Sequence, residues 1–531
     1  MPLAEILAFE TDVLIIGGGM AGAWAALGAA RAGAQVTLVD KGYVGTSGVT
    51  AAAGPGHWWV APEHREEAVR QRAAAGEGLA DPRWMHRILD TTCRHLPTIA
   101  SHYAFTPDRS GKPAYRALRG PEYLRALRAL VDEAGVHVLD HHPALELLRH
   151  TDGSVAGAQG VALRSGAAWS VRAGAVVLAT GGSAFLSKLL GADNNTGDGY
   201  LMAAELGAEL SGMEFTNAYC IAPAHSSMTR SMSYVFARYF DEAGHELHIP
   251  PGPLQTSVLA RALLRGRVSC TLDRMPSDLR AALPTISPNV MLPFTRRGID
   301  PFVDRFEVTL RAEGTVRGIG GLRVASPACE TTVARLFVAG DAASREPVAG
   351  AISGGGNINS AWALSSGLWA GRAAAARVRQ EGRRSHEPAT QAGQAGLRPH
   401  RHAAAVDRPA AVAAVQRAML DYDRNIFRDA VGLSASQARL EAAWQDVSDH
   451  AAADATNATQ TLRLRETAAL LATARWSVGS ALQRRETRGM HRRTDIPRTL
   501  PGYAHRLTVG GLRRVWHRAD AVLGEAQEEA A

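Results

Sequence analysis

The run Gly17-Gly18-Gly19-Met20-Ala21-Gly22 constrains this chain more than any other stretch. It stands between a short apolar run, Asp12 to Ile16, and an alanine-rich run of helical character, Met20 to Ala32. In a strand–turn–helix of this kind the first glycine permits the tight turn. The second lets the backbone approach a pyrophosphate, and the third lets helix and strand pack closely. The helix N-terminus then offers amide donors to phosphate oxygens. A β-branched run, Gln35 to Val39, ends at Asp40, where a carboxylate can accept hydrogen bonds from a ribose diol. The spacing predicts a dinucleotide site contacted by Gly17, Gly19, Met20, Ala21, Gly22 and Asp40.

Two more buried strands end in glycine. Ala173 to Leu178 leads into Ala179-Thr180-Gly181-Gly182, and Arg335 to Val338 into Ala339-Gly340-Asp341. Strand ends so far apart in sequence imply a nucleotide-binding sheet assembled from separated pieces. A chain of 531 residues is also too long for one core. The expected organisation is a nucleotide-binding domain in two parts, 1–225 and 313–379, with an inserted domain over 226–312. A polar, aperiodic linker follows over 380–409, and a helical C-terminal domain over 410–531.

Hydrophobic residues make up 46% and charged residues 21%, the balance of a soluble globular chain rather than a disordered one. No apolar run approaches the roughly 20 residues of a membrane-spanning helix. The start, Met1-Pro2-Leu3-Ala4-Glu5, carries no basic-then-apolar signal. Cys93, Cys220, Cys270 and Cys329 are too scattered for a disulfide framework or an iron–sulfur cluster, so a reduced, cytoplasmic setting is expected. The net charge of +7 comes from scattered arginines, since lysine occurs only at Lys41, Lys112 and Lys188. That distribution argues against nucleic acid and suits an anionic substrate or an acidic electron-transfer partner.

Beyond Asp40, Lys41-Gly42-Tyr43-Val44-Gly45-Thr46-Ser47-Gly48 continues through Val49 to Gly54. Here the chain resembles the fumarate reductase and succinate dehydrogenase flavoprotein family, which includes L-aspartate oxidase and the flavoprotein component of adenylylsulfate reductase. The resemblance returns at Asn195-Thr196-Gly197-Asp198-Gly199, at Glu214-Phe215, at Ala339-Gly340-Asp341-Ala342 and at Gly354-Gly355-Gly356-Asn357. It ends with Arg485-Glu486-Thr487-Arg488-Gly489-Met490-His491-Arg492-Arg493-Thr494-Asp495-Ile496-Pro497. It implies an α/β fold with a Rossmann-like FAD-binding domain, an inserted α+β capping domain and a helical C-terminal domain. FAD is then the cofactor. Lys41, Thr46, Ser47, Gly48, Thr50, Ala52, Ala53 and Gly54 would run towards the isoalloxazine. Asp198 and Asp341 would make polar contacts. Ala144, Thr180, Gly181 and Gly340 would line the site, and Gly356, Asn357 and Ile358 would present backbone near the ring.

The departures carry the functional expectation. Many relatives tether the flavin through a histidine where this chain has Gly48, so the FAD should be non-covalent. The relatives' dicarboxylate clamp and proton donor are replaced, with Arg317 before Gly318-Ile319-Gly320-Gly321, Ser353 before Gly354, and Thr256 in the inserted domain. Succinate and fumarate are therefore not the expected substrates. Arg317 is the first candidate for the chemistry, as an anion anchor. His57, beside Trp58 and Trp59, is either a proton-transfer group or a wall residue; Tyr219, His225 and Arg261 complete the set. Two functions compete: hydride transfer between FAD and a small, anionic substrate, or the electron-transfer role of an adenylylsulfate-reductase-like flavoprotein. The second requires an iron–sulfur partner. A flavin-binding protein without turnover is a third class.

Overall fold

A computed structural model describes residues 7–107, 111–116, 118–229, 231–252, 254–286, 288–454 and 456–520. Its centre is a sheet of eight strands. Leu7–Ile16 pairs in parallel with Val36–Val39 on one side and with Ala168–Leu178 on the other. Leu336–Val338 lies parallel to the last residues of Ala168–Leu178, and His137–Leu139 parallel to Val36–Val39. Val13, Leu14 and Ile15 are completely buried, as strands covered on both faces require.

The three strand ends marked by glycine meet at one edge. Gly17 N donates to Val39 O, Ala179 N to Ile16 O, and Ala339 N to Leu178 O, at 2.8–2.9 Å. The first helix, Met20–Arg31, packs on the long helix Gly355–Glu381 almost backbone to backbone. A Cβ at Gly371 would stand 2.0 Å from Ala25 O, and one at Gly367 2.4 Å from Ala21 O. Small residues thus bring a distant helix against the nucleotide turn.

An antiparallel five-stranded sheet forms the inserted unit, in the order Glu246–Leu247, Arg238–Phe240, Val268–Thr271, Phe306–Ala312, Tyr219–Pro223. Its outer strand begins at Tyr219, before the expected boundary at residue 226. The expected linker is also different in kind. Ala389–Gln391 adds an antiparallel edge to the central sheet beside Ala144–His150, and Arg398 pairs with buried Glu146. Its polarity reflects an edge position rather than a loose tether.

The C-terminal region holds Ala430–His450 and Ala458–Gln483, capped by the side chains of Asp429 and Asn457. It finishes with a hairpin, Leu507–Gly510 and Trp516–Ala519, that joins Leu210–Ser211 in a four-stranded sheet. Between this region and the central domain lies a buried ionic cluster. Arg484 pairs with Glu214 at 2.8 Å and Glu486 at 3.1 Å, and Arg488 pairs with Glu486 at 2.6 Å. Among the described residues, no helix is long and apolar enough to cross a membrane.

Candidate active site

A deep cleft opens where the strand ends converge. Gly17 adopts φ +105°, and a Cβ there would strike Ala179 O at 2.4 Å. Gly19 differs, since its Cβ would meet no atom within 4 Å although Gly19 lines the cleft. The turn is therefore tight on its protein side and open on its cleft side. Asp40 receives Gly18 N at 2.6 Å and Gly42 N at 2.7 Å, which fixes its carboxylate while leaving lone pairs for a ligand.

Besides Glu313 Oε2, three buried polar atoms in the lining, Ser47 Oγ, Thr180 Oγ1 and Asn359 Oδ1, have no hydrogen-bond partner among the described residues. Buried polar groups are rarely left so, and three facing one cleft argue for a polar ligand. The helix Gly355–Glu381 begins at this cleft, and the first-turn amides of Gly356 and Asn357 have no intrahelical acceptor. The donor set suits a dianionic dinucleotide. Gly17 to Gly22 would hold the pyrophosphate, Asp40 a ribose, and Gly48 to Gly54 the ring end.

Lys41 is engaged by protein. Its Nζ contacts Asp198 at 2.7 Å, Glu466 at 2.9 Å and Thr196 Oγ1 at 3.2 Å. Burial alone would lower its pKa, but the two carboxylates raise it above the ordinary lysine value. The ammonium is thus a fixed charge, and it ties the C-terminal helix Ala458–Gln483 to the cleft.

At the other end, the short helix Gly314–Arg317 brings Arg317 into the lining. Arg317 Nε lies 2.9 Å from Oε2 of Glu313, a buried carboxylate that also lines the cleft. Attraction to Glu313 raises the Arg317 pKa against the cost of burial. Arg345, fully buried, pairs with Asp341 and donates to the carbonyls of Thr315, Val316 and Gly318. It clamps the short helix that carries Arg317. Burial raises the Asp341 pKa, while Arg345 and Arg317 oppose that shift.

Two family models match this chain: an FAD binding domain over residues 12–220, and a fumarate reductase flavoprotein C-terminal domain over 413–519. The chain belongs to the fumarate reductase flavoprotein family. One of the subunits of the fumarate reductase (CoM/CoB) of Methanothermobacter marburgensis is 26% identical, the alignment covering 93% of this chain and 96% of the relative. L-aspartate oxidase of Mycobacterium leprae is 29% identical, with 94% and 95% covered. The fold is shared with E. coli quinol fumarate reductase, at a TM-score of 0.78, 20% identity and 97% of both chains. It is shared also with adenylylsulfate reductase of Archaeoglobus fulgidus, at a TM-score of 0.75, 18% identity, and 97% and 96% covered. As a divergent member of this family, the chain is an FAD-dependent oxidoreductase.

Within this flavoprotein the predicted site residues divide. Gly17, Gly19, Met20, Ala21, Asp40, Lys41, Ser47, Gly48, Thr50, Ala52, Ala53 and Gly54 line the cleft, as do Ala144, Thr180, Gly181, Asp198, Gly340, Asp341 and Gly356. Gly22 lies behind the turn, where a Cβ would meet Gly17 O at 1.7 Å. Thr46 is exposed and its hydroxyl turns back to Tyr43 O at 3.4 Å. Asn357 and Ile358 are outside the lining. Ile358 packs in the core and its amide belongs to the helix's own ladder, so it does not supply the expected backbone contact.

The catalytic candidates diverge further. Tyr219 braces two domains instead, donating to Leu420 O at 3.0 Å and accepting from Asn425 Nδ2 at 3.2 Å. Arg261 is exposed, with its guanidinium 4.5 Å from the centre of the Phe427 ring. His225 lies in a neighbouring cavity, edge-on to Phe294. His57 is completely buried beside Tyr123, behind the cleft wall, and burial holds its imidazole down at about 3. It is neutral at physiological pH and does not line the cleft. Arg317 alone of the five lines the cleft. Glu313 escapes a reading by motif, although its i,i+4 spacing to Arg317 is a helix ion-pair signal. Glu466, which lies 425 residues from Lys41, leaves no comparable local trace.

Proposed function

We propose that this flavoprotein transfers a hydride between non-covalently bound FAD and a small substrate, other than succinate or fumarate, anchored by an anionic group on Arg317. The observation that carries the reading is the Arg317–Glu313 pair at the substrate end of the cleft. The contact to Glu313 is made through Nε, and the two Nη groups are the ones that would face a ligand. A planar guanidinium can hold a carboxylate, sulfonate or phosphate bidentately through such groups. Glu313 offsets the charge of a half-buried cation and orients the fork. Bound FAD supplies the hydride acceptor or donor at its ring. The chain's own part is to bind and orient the substrate and to keep water out. The relatives' names include a fumarate reductase, an L-aspartate oxidase and a urocanate reductase, so substrates vary across similar chains.

Arg317→Lys keeps the charge but loses the fork, and should raise KM about tenfold or more. Arg317→Ala should cost roughly 2–5 kcal/mol in kcat/KM. FAD content should be unchanged in both. The substrate comes from an anaerobic panel of carboxylates, amino acids and sulfur oxyanions, screened for loss of flavin absorbance. A less stable variant with unaltered KM would reduce Arg317 to a structural brace. Tests of the acceptor belong with the same panel: reoxidation by oxygen supports an oxidase or dehydrogenase. Turnover only with an added iron–sulfur protein supports the electron-transfer reading.

The non-covalent cofactor is separately testable. Gly48 has φ +80°, a conformation L-residues rarely adopt, and no side chain to form a tether. Acid precipitation should release all the FAD into the supernatant. A yellow pellet would refute it.

A further inference from the structure

A second cavity of about 370 Å³ adjoins the flavin cleft. That volume lies within the roughly 300–1,000 Å³ of ordinary ligand pockets. Leu189 and Leu190 line both spaces and mark where they adjoin. One chain segment serves both, with Ser226 and Ser227 lining the second cavity and Met228 and Thr229 the first.

The second cavity is basic. Lys188 and Arg311 line it, and Asp193 is its one carboxylate among the described lining residues. Neither cation makes an ion pair among the described residues, whereas the buried Arg465 and Arg484 both do. Arg311 Nη2 reaches the carbonyls of Ala224 and Ser226 only at 3.5 and 3.4 Å. Its Nε is buried with no hydrogen-bond partner among the described residues, and so is His225 Nε2. Leaving a charged group's N–H buried and unmatched is costly unless a ligand completes it.

The backbone supports the same conclusion. Phe185, Leu186 and Lys188 all have left-handed φ, at 53°, 54° and 60°. Strain of this kind persists where the surroundings over-determine it, and it concentrates at ligand clamps. Here Ser187 Oγ donates to Ala312 O at 2.6 Å and Gln416 Nε2 to Leu186 O at 3.2 Å. The strained loop sets Lys188 at the cavity rim, opposite the strand that carries Arg311.

We infer that this cavity binds an oxyanion, a carboxylate or phosphate at the far end of the same substrate that reacts in the flavin cleft. The inference rests on the hydride-transfer reading, and it makes the substrate an elongated molecule rather than a compact diacid. Arg317 would hold the end near the reacting carbon. Lys188 and Arg311 would hold the other end, past Leu189 and Leu190.

The test uses flavin-loaded protein titrated with inorganic phosphate and, separately, with acetate, each balanced with sodium chloride to constant ionic strength. Melting temperature and the flavin difference spectrum are the readouts. A saturable response to phosphate assigns a phosphate tail, and one to acetate a carboxylate tail. Arg311→Gln should weaken either at least tenfold, whereas Arg317→Ala should preserve it. Lys188→Gln, at an exposed side chain, gives a second variant whose folding is not at issue, and it should weaken binding severalfold. No saturable response, or equal responses in wild type, Arg311→Gln and Lys188→Gln, overturns the inference. A compound that bleaches the flavin with equal KM in wild type and both variants overturns it too, while leaving hydride transfer intact.

Discussion

Gly22→Ala should yield a colourless protein with reduced thermal stability, whereas Gly19→Ala should yield a stable protein that holds FAD weakly. The added methyl group at Gly22 would sit 1.7 Å from Gly17 O. That carbonyl has little room to retreat, because Gly17 N is bonded to Val39 O and Ala179 N ties the next strand to Ile16 O. Forcing the turn open costs roughly 1–3 kcal/mol or more in such a packed setting, and it displaces the amides that face the pyrophosphate. At Gly19 the methyl group meets no protein atom, so folding is unaffected and the clash falls on the ligand alone. The ratio of flavin to protein absorbance, with melting curves on the same samples, separates the two. Full flavin occupancy in Gly22→Ala would show that the turn does not hold the cofactor.

Arg484→Met should be the most destabilising single change in the C-terminal region. Arg484 and both its acidic partners, Glu214 and Glu486, are completely buried. Its other guanidinium protons reach Tyr503 O and His505 O at 2.9 Å. Removing the cation leaves Glu214 without its paired counter-charge and Glu486 with Arg488 alone, and breaking a buried pair in this way typically costs roughly 3–5 kcal/mol. Denaturant unfolding would measure it. Adding Glu214→Leu to Arg484→Met should recover part of the loss, since a buried pair is often replaceable by apolar residues while a broken pair is not. Unfolding of Arg484→Met at the wild-type denaturant midpoint would rule out a role for the cluster in joining the domains.

What the amino-acid sequence discloses depends on how local the constraint is. The turn at Gly17 to Gly22 is legible because each glycine answers a steric demand from residues a few positions away. The strand Leu7–Ile16 is legible only from Asp12, because Glu10 and Thr11 interrupt the apolar run before it. Ala389–Gln391 is hidden altogether, since an edge strand needs no apolar pattern and its anchor, Glu146 to Arg398, spans 252 residues. Tyr219 illustrates the same limit at the site. A tyrosine just after Glu214 carries no sign of which way it points, and its acceptors, Met419 and Leu420, lie 200 and 201 residues downstream. Arg317 is legible because a motif fixes its place, while its buried partner Glu313 has no motif.

The bond network at Lys41 has a consequence for how the molecule comes apart. Asp198 and Glu466 grip one ammonium from two different domains, and Lys41 and Asp198 both line the cleft. Occupancy of the cleft and docking of the helix Ala458–Gln483 are therefore linked equilibria, each strengthening the other. Amide hydrogens along that helix should exchange more slowly once the protein is loaded with FAD. Conversely, fluorescence from released flavin should rise before the central sheet melts, giving a built-in optical signal for the first domain to let go.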